Sequence, residues 1–252
     1  MNIPGLQLSP LIALAVFMVL ALILVFALRN QRRRNRLIRK KFNELEGEEQ
    51  RMFSFLHELG LAIENEPSPT VLSRIIVDGI DKVVNARGGA IYFLGAGNGF
   101  LIPSYISDDC PPLIGVPVEV LKRAERDPRA LDSHLRLSRV AADEGILGHC
   151  LAAGEAIKVD DVKSHPSFHD AVLSYTHNVT ALLAPLRHAG RDLGVLVVAR
   201  RHEDGAFTAN DFAVFRSAAE QSSFAIGNAR IHREAHEKRA MENELQNARE
   251  VQ

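Results

Sequence analysis

Residues Leu11 to Leu28 read LIALAVFMVLALILVFAL, a run of eighteen apolar side chains without a charge, Gly or Pro. A helix over them would be about 27 Å long at about 1.5 Å per residue, close to the thickness of a bilayer's hydrocarbon core. A core helix of a soluble domain carries one apolar stripe and is not apolar on every face. A cleaved secretory signal needs a basic start, a shorter apolar stretch and a small-residue cleavage site. Here MNIPGLQLSP has no basic side chain, and RNQRRRNRLIRKK follows the run. The sequence therefore predicts one transmembrane helix over 11–28, with the lipid bilayer as a partner. Cations beside a span mark its cytoplasmic side, so residues 1–10 are expected outside and the body inside, a single-pass arrangement in the cytoplasmic (inner) membrane.

The charge distribution agrees with that topology. Net charge is −1, from 30 basic and 31 acidic residues. Eight of the cations lie in residues 29–41 and no acid precedes them, which leaves a body of 22 basic and 31 acidic side chains, or −9. An acidic body has no cationic stripe for phosphates, and no Trp with three Tyr leaves little to stack on bases, so no nucleic-acid partner is expected. The basic stretch also suits anionic headgroups. Two cysteines, Cys110 and Cys150, are too few for a disulfide framework or a thiolate zinc site.

Beyond the cations, Ile38, Phe42, Leu45, Met52, Leu56, Leu59 and Ile63 recur at coiled-coil spacing, with Glu49 as the one exception. The segment 29–66 is thus a basic juxtamembrane stretch and a helix that either dimerises or lays its second half on the body. Pro67 ends it. After Pro69, the residues Val71, Leu72, Ile75, Ile76, Ile80, Val83 and Val84 predict a second helix that stops at Asn85. Two strands follow, Gly88–Leu94 and Phe100–Ile106, around Gly95-Ala-Gly-Asn-Gly99. A dinucleotide fingerprint would need a helix after those glycines, and a strand follows, which makes them a hairpin turn.

Residues 107–143 read as an irregular insertion with a helix from about Val118 to Arg126 and another through Leu131 and Leu137. Then come a short helix over 144–154 ended by glycine, a strand at 156–159, and a turn from Asp160 into a short helix with Pro166 in its first turn. Two apolar strands, 179–186 and 193–199, flank a turn at 188–192, and from Phe207 onward a long helix runs to the end.

The ordered set GILGHCLAAGEAIKVDDVKSHPSF, Ala184-Pro185-Leu186, Gly194-Val195-Leu196, Phe207 and Ile226-Gly-Asn-Ala-Arg230 resembles the GAF domain family, over roughly residues 50–231. The resemblance implies an α+β fold, a central antiparallel sheet flanked by helices, with a small-molecule pocket on one face and dimer-forming helices on the other. The expected organisation is residues 1–10 outside, 11–28 in the membrane, 29–66 as linker, 67–231 as the GAF domain and 232–252 as a C-terminal signalling helix. The family's cyclic-nucleotide signature cannot be assembled here, and neither cysteine stands in a bilin-attachment context. The ligand and any cofactor stay unassigned.

If a pocket exists, the short helix and loops between 145 and 180 should line it, which nominates His149, Asp161, His165, Phe168, Tyr175 and Thr180. His165, His169 and His177 with Asp160, Asp161 and Asp170 invite a metal reading, but Pro166 puts His165 at a helix cap, and a polar pocket rim is the plainer reading. His149 and Cys150 are adjacent, so on a helix their side chains diverge by about 100° and form no catalytic pair. Cys150 is expected to be a small buried residue, and nothing in the sequence lowers either thiol's pKa. No phosphate loop, nucleophile elbow or kinase signature is present, so no catalytic residue is expected. Asn178-Val-Thr180 fits a glycosylation pattern by coincidence, at the start of a strand on the cytoplasmic side.

The final helix is too long to serve one domain, and Met241, Leu245 and Ala248 form a modest seam. Its tail, ELQNAREVQ, resembles the helix that precedes PPM-type serine/threonine phosphatase domains in bacterial stress and sporulation regulators. The expected function is a membrane-anchored sensor that binds a small molecule or partner and relays the signal as a homodimer to a fused or separate effector. The alternatives are the regulatory portion of such a phosphatase and a tethering module without a ligand.

Overall fold

The computed structural model describes Met18 and residues 29–31, 47, 49–65, 67–95, 97, 99–165 and 179–250, with side chains as far as residue 244. Apart from Met18, the expected span over 11–28 lies outside the described residues, as do the seam residues Ile38, Phe42 and Leu45. Among the described residues no helix is long and apolar enough to cross a membrane. Met1–Gln50 and Arg51–Gln252 form separate compact units, and the elements below belong to the second.

That unit opens with helix α1 (51–64) and continues with α2 (Pro69–Val84), β1 (Gly88–Leu94) and β2 (Phe100–Ile106). The insertion contributes α3 (Val118–Ala124), α4 (Arg129–Leu137) and a two-residue strand β3 (Val140–Ala141). Then follow α5 (Gly145–Ala153), β4 (Ile157–Val159), β5 (Val179–His188), β6 (Arg191–Arg201), a 3₁₀ turn and α6 (Ala209–Glu250). The six strands form one sheet in the order β3-β2-β1-β6-β5-β4, and every neighbouring pair is antiparallel.

The sheet is covered on both faces. Leu182, Leu196 and Val198 join α1, α2 and α6 in one core, while Ala181, Leu183, Val195 and Val197 face α3, α4 and α5 in a second. Strands buried on both sides lose the polar alternation of a half-exposed strand, which is why β5 and β6 are continuous apolar runs. Their connection is tighter than the expected turn over 188–192. The ladder extends to the pair His188↔Arg191, and Ala189 (φ 48°) and Gly190 (φ 75°) make a two-residue turn of left-handed backbone. The insertion is also less irregular than expected, because β3 pairs with Phe100 and Leu101 of β2. Two residues are too few to show a period in the sequence.

Helix α2 begins where Ser68 accepts a hydrogen bond from the Val71 N–H, with Pro69 at the first helical position, and ends at left-handed Asn85 (φ 52°). Helix α1 lays Phe55, Leu59 and Ala62 into the core with Met52 and Ile63 packed against it, so the second half of the segment lies on the body, one of the two expectations, while Phe55 takes the place expected of Leu56, which is exposed. The cause is Gly79 of α2. A Cβ there would lie 2.4 Å from the Phe55 ring, so the missing side chain admits the ring. Glycine inside a helix costs about 1 kcal/mol relative to alanine, and here it permits the close approach.

The start of α6 is held by a reciprocal cap in which the Asp211 N–H donates to Thr208 Oγ1 (3.0 Å) and the Thr208 N–H donates to Asp211 Oδ2 (2.8 Å). Arg200, at the end of β6 and 7 % exposed, joins this cap to α2. Its guanidinium donates to the carbonyls of Asn85 (2.9 Å) and Val84, where α2 ends, reaches Asp211 at 3.4 Å, and stands 4.2 Å above the Phe207 ring. A cation on the last carbonyls of a helix also meets the negative end of its dipole. Farther along α6, Arg233 donates to the Pro67 carbonyl (3.3 Å) between α1 and α2.

Replacing Arg200 with Met is expected to lower stability by about 2–4 kcal/mol, because several buried carbonyls lose their donor at once. Lysine should restore only part, since one ammonium cannot span the same fork of acceptors. Chemical denaturation followed by circular dichroism measures both, and a loss below about 0.5 kcal/mol would show that the network carries little energy.

Candidate functional site

On the second face, α5 carries Ile146, Leu147 and Cys150 inward against β5 and β6, and leaves His149 exposed. The hundred-degree step between neighbours on a helix separates His149 from Cys150 as expected. Gly154 ends the helix in left-handed backbone (φ 72°). The chain then forms β4 and a turn over 161–165 that is pinned to the sheet, for the Val162 N–H donates to the Val179 carbonyl (2.9 Å).

Asp161 shapes that turn. One carboxylate oxygen accepts from the Lys163 N–H (3.1 Å) and the other from the Ser164 hydroxyl. The turn brings His165 to His149, with ring centroids 5.0 Å apart and planes at 61°. Partial burial first, and the neighbouring His149 second, lower the pKa of His165 below the ordinary histidine value, which favours its neutral form. A neutral imidazole offers one donor and one acceptor to a polar ligand. Beside the pair, Lys158 and Asp160 are 3.0 Å apart in an exposed ion pair.

Of the six nominated residues, the structure joins His149 and His165 and places Asp161 beneath them in the turn. Thr180 is fully buried, and its hydroxyl donates to the Val159 carbonyl (3.1 Å), so it closes the seam between β4 and β5. Phe168 and Tyr175 lie outside the described residues, as does the helix expected from Pro166. Among the described residues, no group of three or more His, Cys, Asp or Glu is arranged to hold a metal. Burial pushes the Cys150 thiol up to about 12 and drives Cys110 higher still, so both are held protonated.

Sequence reasoning passed over a second surface. A cleft of about 440 Å³ opens between the end of α5, the edge of β5 and the exposed side of α6, bordered by Ala156, Arg187, His188, Arg216 and Phe224. Arg187 donates to the Gly154 (3.1 Å) and Leu151 (3.4 Å) carbonyls and pairs with Asp192, closing the end of α5 from a strand 33 residues away. Gly227 leaves room for the His188 ring, which meets Phe224 edge-on at 5.6 Å. No local pattern announces contacts between residues so far apart.

Helices cover both faces of the six-stranded antiparallel sheet. The sequence model of the GAF domain matches residues 66–227. The chain belongs to the GAF domain family. Among solved structures, this GAF domain is similar to that of a phosphoenolpyruvate-protein phosphotransferase from Coxiella burnetii, at 16 % identity and TM-score 0.54, covering 73 % of this chain and 96 % of that one. It is also similar to residues 122 to 287 of a methyl-accepting chemotaxis protein, at 16 % identity and TM-score 0.50, covering 69 % and 97 %. A GAF/HD domain protein from Geobacter sulfurreducens matches at 16 % identity and TM-score 0.49, covering 67 % and 98 %. The likeness to the first two, at TM-scores of 0.54 and 0.50, establishes a shared fold. No curated protein matches the chain by sequence.

Replacing His149 with Asn removes the second cause of the lowered His165 pKa and leaves the first. The His165 midpoint, followed by NMR of its ring protons, is expected to move up toward the ordinary histidine value without reaching it. An unchanged midpoint would mean that burial alone sets it.

Proposed function

We propose that the chain is a membrane-anchored sensor module in which the GAF domain binds a small molecule or partner on the α5 side and signals through its helices in a homodimer. One observation carries this reading. Helix α6 is 42 residues long, about 63 Å at about 1.5 Å per residue, and only its first half has a core to pack on. Phe215, Ala218, Ala219, Ala225 and Ile226 are buried, whereas nearly every side chain from 230 to 244 is exposed. A helical extension surrounded by water is marginal by itself and gains stability from a partner along its apolar side. Phe224 (59 % exposed), Ile231 (53 %) and Met241 (65 %) supply that side at intervals of one heptad and then one heptad plus three residues.

The apolar run over 11–28 and the cations after it anchor the module and put the GAF domain on the cytoplasmic side. A ligand that favours one packing of α5 against β5 and β6 biases α6 on the other face of the same strands, and a dimer converts that bias into a two-state change. The chain then acts on an effector beyond α6. The resemblance of ELQNAREVQ to the approach helix of PPM-type phosphatases favours a protein serine/threonine phosphatase as that effector, with this chain as the non-catalytic regulatory portion. Reading the gene past Gln252 for a phosphatase frame tests that choice.

Cysteines introduced one at a time at Met241 and Leu245 are expected to crosslink protomers in isolated membranes, and a cysteine at Asn243, off the seam, to crosslink far less. A chain that stays monomeric at all three positions would overturn the homodimer. Deleting residues 1–41 should move the protein from the membrane pellet to the supernatant. Native mass spectrometry of the purified chain is expected to reveal a bound small molecule, and its consistent absence would favour a tethering role.

A further inference from the structure

The join between α2, β1 and the insertion contains a carboxyl group whose arrangement the sensor reading does not use. Asp81 lies in the last turn of α2, and its Oδ1 is buried with no hydrogen-bond partner. The oxygen sits against the backbone of Gly89, only 3.0 Å from where a Cβ on that residue would stand. On the same helix Asp78 faces it, already engaged as acceptor for the Tyr105 hydroxyl of β2 at 3.0 Å. From the connection after β2 comes half-buried Cys110, whose thiol the Asp81 charge helps to push up. Each of these three neighbours is neutral or negative.

The insertion is attached at this same place. Ser107 and Gly89 exchange hydrogen bonds: the Gly89 N–H donates to Ser107 Oγ (2.8 Å), and the Ser107 N–H donates to the Gly89 carbonyl (2.9 Å). The Cys110 N–H then donates to the Ser107 carbonyl (3.0 Å). The turn lies so close to β1 that a Cβ on Gly88 would be 2.5 Å from the Cys110 nitrogen. A charge placed beside this join, without a counter-charge or a donor, opposes its closure.

We propose that Asp81 is a proton-operated latch: its neutral carboxyl lets the 107–113 segment close on β1, and its carboxylate loosens that segment, and with it the attachment of the helices that cover the ligand face. Burial chiefly, and Asp78 secondarily, raise the Asp81 pKa to about 7, so the latch works near neutral pH. The closed state binds the proton more tightly than the open state, where the group has its ordinary pKa of 3.8. Closure is therefore strongest at low pH, weakens as pH rises toward about 7, and levels off above it. The proposal stands independently of what the GAF domain binds.

Hydrogen exchange of the full chain, read by mass spectrometry and corrected for the intrinsic rate at each pH, tests it. Protection of peptides over 107–113 is expected to fall about tenfold between about pH 6 and about pH 8 in the wild type and to stay level in Asp81→Asn. Equal pH dependence in both proteins would overturn the latch. Should Asp81→Asn fail to fold, Asp78→Asn provides the second reading, because it removes the repulsion while keeping an acceptor for Tyr105. The fall in protection should then level off at a lower pH than in the wild type, in step with a lower Asp81 carboxyl midpoint by NMR, and a fall that does not follow that midpoint would overturn the proposal.

Discussion

Arg200 stands where the two ends of the domain's helical layer meet. It stands in the last rungs of the β5–β6 ladder, where α2 has just ended and α6 is about to begin, and the Val84 and Asn85 carbonyls lie within its reach. One guanidinium answers both, and Asp211 and Phe207 hold it in place. A buried cation is tolerable only with such pairing. The Arg233 contact to the α1–α2 turn then fixes a second point on the same helix.

The sheet separates two kinds of surface. On the side of α1, α2 and α6, close approach is made possible by absent side chains at Gly79 and Gly227, and packing is dense. On the side of α3, α4 and α5, the covering pieces are short and joined by loops, and the polar pair of His149 and His165 lies at their edge. The strands shared by both sides join this loop-built face to the long helix α6. Asp81 lies between the end of α2 and β1, close to the attachment of the insertion.

Much of the fold was legible in the residues. Pro69 and Asn85 delimit α2, the glycines at 95–99 separate β1 from β2 as a hairpin, and the apolar runs on either side of Gly190 mark β5 and β6. Each of these signals is local and chemical. On α1 the expected Met52, Leu59 and Ile63 do pack on the core, but Phe55 takes the place of Leu56, with its ring in the space left at Gly79, 24 residues away. Strand β3 escaped notice because its identity lies in its partner and not in its own two residues. For the site, the sequence could nominate His149 and His165 separately, while their meeting depends on the turn that Asp161 builds. Thr180 has the composition of a pocket residue, yet its place in the β4–β5 seam commits the hydroxyl to Val159.

By itself the sequence determined the kinds of element and their order, the apolar segment at 11–28 with its basic flank, the acidity of the body and the membership of the GAF domain family. These follow from periodicity, from turn residues and from charge, which act over a few residues at a time. The tertiary structure alone decided which face of α1 is buried, that Arg200 and Arg187 close the ends of helices distant in the chain, that His149 meets His165, and that Asp81 is left without a partner. Those outcomes depend on which surfaces remain dry once the layers close, and burial is a property of the whole domain.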